Sequence, residues 1–75
     1  MTPEDLYSIR VNLLGLGVEE FASLLGVHRR TVYCWETGRN EIPGSVSLLL
    51  TFARAVPEVR QMLLERVRRH ALNQA

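Results

Sequence analysis

The sequence has no lysine, a single cysteine and no long apolar run. One cysteine cannot close an internal disulfide and supplies too few thiolates for a structural zinc site. The longest apolar block, residues 46–56, is broken by Ser47, Thr51 and Arg54. It falls well short of the roughly 18 residues of a membrane span. Five glycines and three prolines are too few for a flexible linker and too irregular for a fibre. The opening Met1-Thr2-Pro3-Glu4-Asp5 lacks the basic-then-apolar order of a secretory signal. Neither an internal repeat nor a low-complexity stretch is present. No Ser/His/Asp set, phosphate-binding loop or pocketed carboxylate pair can be assembled, so the chain reads as a non-enzyme. His28, Cys34 and His70 are not a plausible metal set. The expectation is a cytoplasmic domain with no metal, no cofactor and no membrane partner.

What remains is 75 residues, 47% apolar and 23% charged, enough for one cooperative unit spanning residues 1–75 and for a core of limited size. The formal net charge of +1 conceals an asymmetry. Residues 1–25 carry Glu4, Asp5, Glu19 and Glu20 against Arg10 alone, whereas residues 26–75 carry eight arginines against Glu36, Glu41, Glu58 and Glu65. An anionic partner would dock on the basic second half. Arginine's planar fork suits phosphates and guanine edges, although an arginine-only chain also follows from genome composition.

Apolar spacing predicts five short helices. Thr2-Pro3-Glu4-Asp5 reads as an N-cap, a proline at the first helical position and acids at the positive helix end. Leu6, Ile9 and Leu13 then form a stripe that Gly15 and Gly17 end. Val18, Phe21, Ala22 and Leu25 make a second stripe, closed by Gly26. His28 caps a third helix in which Val32 and Trp35 share a face, and Gly38 stops it. Pro43 opens a fourth with Val46, Leu49, Leu50 and Ala53, and Pro57 a fifth with Val59, Met62, Leu63 and Val67. With no strand signal, the fold class is all-α: a compact five-helix domain.

The informative segment is residues 18–38, VEEFASLLGVHRRTVYCWETG. Two amphipathic helices are separated only by Gly26, Val27 and His28, too tight a turn for an antiparallel hairpin. They are therefore expected to cross steeply, with Ala22 at the close approach. At about 100° per residue, Arg30, Tyr33, Cys34 and Thr37 lie opposite Val32 and Trp35, with Arg29 flanking them. A short projecting helix with arginines, an aromatic and small polar groups outward has the shape that enters a DNA major groove.

These residues resemble the phage-repressor (Cro-like, xenobiotic-response-element-like) helix-turn-helix DNA-binding family. The matching pattern is Phe21-Ala22, Leu25-Gly26-Val27, Thr31-Val32 and Trp35-Glu36-Thr37-Gly38, without gaps, and the helical layout extends the likeness over about residues 3 to 56. The resemblance implies base contacts from Arg29, Arg30, Tyr33 and Cys34, and DNA-backbone contacts from Arg39 and Asn40. His28, as a cap or a backbone contact, and Thr31 complete the backbone set. Two departures stand out. Gly17-Val18 occupies the place where the family has Ser or Thr followed by a phosphate-clamping Gln. Arg10 lies one residue further upstream than the family's first-helix arginine. In relatives that arginine can pair with the glutamate after the tryptophan, so an Arg10–Glu36 pair is expected.

Several residues admit two readings. Arg29 and Arg30 are DNA contacts or a solvated charge run. Tyr33 meets a thymine methyl or a phosphate, or is a partly packed surface aromatic. Cys34 is a small groove-facing side chain or an oxidisable thiol. Residues 57–72 form a C-terminal helix whose stripe Val59, Met62, Leu63 and Val67 is widened by Leu64, Ala71 and Leu72, more than one small core can cover. A partner helix from a second copy is the expected occupant. Arg66, Arg68, Arg69 and His70 face the helix dipole or add attraction to an anionic partner. The functional expectation is a sequence-specific transcriptional regulator, a repressor, binding a palindromic operator on double-stranded DNA as a homodimer. The alternative is a toxin-binding or adaptor-type protein-interaction module with DNA binding secondary.

Overall fold

The computed structural model describes residues 1–73, with side chains described for residues 1–70. It is all-helical, and no strand occurs among the described residues. Helix α1 (Pro3–Ser8) runs on without a break into a π-helical turn, Ile9–Leu13. Helices α2 (Val18–Leu25), α3 (Arg29–Glu36), α4 (Gly44–Ala55) and α5 (Pro57–Asn73) follow through short connections.

Local chemistry sets each boundary. Thr2 and Asp5 form a reciprocal capping box at the start of α1: the Asp5 amide donates to Thr2 Oγ1 at 3.1 Å and the Thr2 amide to Asp5 Oδ2 at 3.2 Å. These bonds from Thr2 hold the Asp5 carboxyl below its ordinary value of 3.8. In the π turn, the Leu14 amide reaches back five residues to the Ile9 carbonyl at 2.9 Å. The widened turn rotates the chain beyond it, so Leu14 is buried and Leu13 only half-buried, whereas plain α-helical spacing puts Leu13 in the stripe. Gly15, at φ 66°, then takes the left-handed conformation that ends the helix.

The turn between α2 and α3 is closed by Gly26 at φ 72°, with the Val27 amide bonded to the Ala22 carbonyl at 3.0 Å. Val56, placed before Pro57, is forced into the extended conformation and separates α4 from α5. Arg60 reaches back across this break, donating from Nε to the Ala53 carbonyl and from Nη2 to the Arg54 carbonyl, each at 3.2 Å. It thereby satisfies acceptors that the end of α4 leaves without helical partners.

One core joins these elements: Leu6, Ile9, Leu14, Leu16, Phe21, Ala22, Val32, Trp35 and Leu50, with Leu64 and Val67 of α5 packed against it. Phe21 and Val32 are fully buried, so the facing sides of α2 and α3 are the sides the stripes assigned to the interior. Two expectations for the last helix change. Val67, expected on the dimer seam, packs against the chain's own core together with Leu64, which turns this edge of α5 inward. Val59 and Leu63 are half-buried, and only Met62 of the expected seam is openly exposed, at 68%. Leu48 and Phe52, one turn apart on α4, are exposed as well. The contribution expected from Ala71 and Leu72 lies outside the described side chains.

Candidate nucleic-acid interface

Helix α3 is held from behind by apolar and ionic contacts. Val32 and Trp35 point into the core, with Trp35 4% exposed. Beside them the expected Arg10–Glu36 pair is present and bidentate: Arg10 Nε donates to Glu36 Oε2 at 2.6 Å and Nη2 to Oε1 at 3.0 Å. The remaining Nη1 donates to the Leu16 carbonyl at 3.1 Å, and the guanidinium lies 5.2 Å from the centre of the Tyr7 ring. One buried arginine therefore ties together the first helix, the loop before α2 and the end of α3. The hydrogen bonds to Glu36 raise the Arg10 pKa further above its ordinary value, against the opposing effect of burial. The charge is thus present at every working pH.

Arg10 is the second residue of the π turn. An i to i+5 turn accommodates one more residue than an α turn over the same stretch.

The outward side of α3 carries the cationic and aromatic groups. His28 caps the helix: its Nδ1 accepts from the Arg30 amide at 3.0 Å, which leaves the ring proton on Nε2 facing solvent. Arg29 and Arg30 are exposed, and Tyr33 is 61% exposed. His28, Arg29, Arg30 and Tyr33, with Val18 and Glu36, line an open concavity of about 350 Å³ between α3 and the start of α2. Thr31 is half-buried on the flank of α3, and Arg39 and Asn40 are exposed in the loop after it. Thr37, expected on the outward face, is exposed, and its hydroxyl donates to the Tyr33 carbonyl at 2.9 Å.

Cys34 is a correction. The helical wheel turned it toward the groove, but its side chain is buried, 8% exposed. The wheel considers the helix alone. In the folded chain the loop beyond Gly38 returns against this flank, with the Asn40 amide bonded to the Cys34 carbonyl at 3.1 Å. A side chain so placed presents nothing to a groove, and the oxidisable-thiol reading loses the exposure it needs.

At the start of α2, Gly17 caps the helix by its backbone alone. Its amide donates to Glu20 Oε1 at 3.1 Å, half of a capping box with no side chain to return the bond. One further contact has no signal in the sequence. Arg29 Nη1 donates to Glu19 Oε1 at 2.8 Å across the turn between α2 and α3. Ten residues separate the partners, so no helical spacing rule marks the pair.

Among the described residues no group of three or more His, Cys, Asp or Glu side chains is placed to hold a metal ion. No described helix is long and apolar enough to cross a membrane. Comparisons with protein-family models, curated proteins and solved structures found no match to this chain.

Proposed function

We propose that this chain is a sequence-specific DNA-binding transcriptional regulator of the phage-repressor helix-turn-helix type, acting in the cytoplasm as a homodimeric repressor. The observation that carries this reading is the two-sidedness of α3. Its inner face is anchored by Val32, Trp35 and the Arg10–Glu36 pair, while His28, Arg29, Arg30 and Tyr33 are exposed on the outer face. With α3 in the major groove, Arg30 offers a bidentate donor fork to guanine O6 and N7. Tyr33 meets a thymine methyl or a phosphate. His28 Nε2–H, Thr31, Arg39 and Asn40 serve the backbone on either side. In this role the protein binds and does no chemistry.

A second copy would place its own α3 one helical turn away, about 34 Å along the DNA, and so read a palindrome. The seam for that copy draws on Met62 of α5, with Leu63 and Val59 beside it, and on the exposed Leu48 and Phe52 of α4. The proposed mode of repression is occlusion of the polymerase site. The same exposed apolar residues, together with the absent clamp glutamine, favour a second reading. In it the chain is an antitoxin- or adaptor-type module whose α4 and α5 bind another protein, with DNA binding secondary.

Electrophoretic mobility shift on the promoter DNA upstream of the chain's own gene separates the two, because a pure adaptor gives no specific shift. For the regulator, Arg30→Ala weakens binding to the preferred sequence by about 1–3 kcal/mol and to random DNA by less. Equal losses on both would refute base reading by Arg30.

A further inference from the structure

Arg29 and Arg30 are adjacent, yet the structure treats them differently. Arg30 has no side-chain partner among the described residues, whereas Arg29 is tethered to Glu19 by Nη1 alone. The tether leaves the Nε–Nη2 edge of Arg29 without a partner among the described residues. That edge is the one with which Arg10 grips both oxygens of Glu36. The same chain thus displays the bidentate grip that Arg29 keeps open.

The pair lies on the surface, with side chains 65% and 76% exposed, so it adds little to stability. It acts instead on Arg29 in two ways. The Glu19 carboxylate offsets the guanidinium's charge, which weakens its pull on phosphates wherever they lie. It also restricts a side chain that otherwise loses much rotamer freedom on binding. An oriented, charge-balanced fork of donors is poorly suited to non-specific backbone attraction. It is well suited to a neutral base edge with two acceptors, and guanine O6 and N7 form that edge.

We propose that Glu19 is a positioning residue that sets specificity by holding Arg29 as an oriented fork for a guanine edge in the major groove. This rests on the DNA-reading role assigned to α3. It adds a residue of α2 to the reading surface, from the acidic front of the chain that the charge distribution sets apart from the DNA-binding half.

The test uses the full-length protein and two duplexes: the sequence that wild type enriches from a random double-stranded library, and a scrambled duplex of equal length. Affinities are measured between about 50 and about 200 mM salt. Glu19→Gln keeps the shape and removes the charge, and circular dichroism confirms the fold. The expected result is tighter binding to scrambled DNA, a salt dependence steeper by about one counterion, and a specificity ratio lower by roughly tenfold. The loss of preference falls on one guanine. In an Arg29→Ala background, Glu19→Gln leaves the ratio unchanged. An unchanged or raised ratio in Glu19→Gln overturns the proposal, as does a fall that persists without Arg29. A wild-type protein that enriches no sequence overturns DNA reading and this role together. A wild type with a clear preference and an indifferent Glu19→Gln overturns only the role of Glu19.

Discussion

Two arginine–glutamate pairs lie on opposite sides of α3, and their surroundings give them opposite work. On the inner side Arg10 and Glu36 meet with both carboxylate oxygens engaged and side chains 9% and 13% exposed. On the outer side Arg29 and Glu19 share one hydrogen bond in open solvent. Identical chemistry is worth different amounts in the two places. A buried carboxylate left without its partner is costly, whereas an exposed one is rehydrated almost without loss. The inner pair therefore fixes where α3 sits, and the outer pair governs what α3 offers to a partner. A survey of ion pairs by residue type would count them as equals.

The sharpest way to break this contrast is to remove the inner arginine. Arg10→Ala strands Glu36 and frees the Leu16 carbonyl, and is expected to lower the unfolding free energy by about 3 kcal/mol in urea titration. A loss below about 1 kcal/mol would place the inner pair with the outer one. Arg60, an arginine with carbonyl partners and no carboxylate, tests the intermediate case. Arg60→Ala is expected to cost about 1 kcal/mol, read as earlier thermal unfolding, because water replaces the bonds to Ala53 and Arg54 only in part. On the outer side, Glu19→Gln is expected to change stability by no more than about 0.5 kcal/mol, whatever it does to DNA binding.

The smallest effect belongs to Asp5, a half-buried residue whose carboxyl is held by Thr2. Its folded-state pKa lies below the ordinary 3.8. Its contribution is therefore present above that value and lost as pH falls through the folded-state pKa. Asp5→Asn should lower the neutral plateau slightly and leave stability below the folded-state pKa unchanged, so the acid limb flattens.

Much of this arrangement is visible in the sequence. The stripes Val18–Phe21–Ala22–Leu25 and Val32–Trp35 place α2 and α3, and glycines at 15, 26 and 38 mark where φ turns positive. Arg10–Glu36 is anticipated across 26 positions only through resemblance to a known family, since no local rule links residues so far apart. The misreadings share one cause. A helical wheel knows the helix and not what the chain does next. It sent Cys34 outward because the returning loop lies beyond the helix, and it gave Val67 to a partner because the core it reaches is built by distant residues. A wheel with α spacing puts Leu13 in the stripe, whereas the π turn buries Leu14. Glu19 went unnoticed as a partner of Arg29 for the same reason: the contact exists only after the turn at Gly26 has folded.

In the proposed function the exposed face of α3 reads base sequence. Its most direct test is selection of bound duplexes from a random library by the full-length protein, repeated with Arg30→Ala. The expected result is a palindromic sequence for wild type, with half-sites about one helical turn apart and a guanine preference that Arg30→Ala abolishes. Recovery of unbiased DNA by wild type, or the same preferred sequence from both proteins, would contradict it.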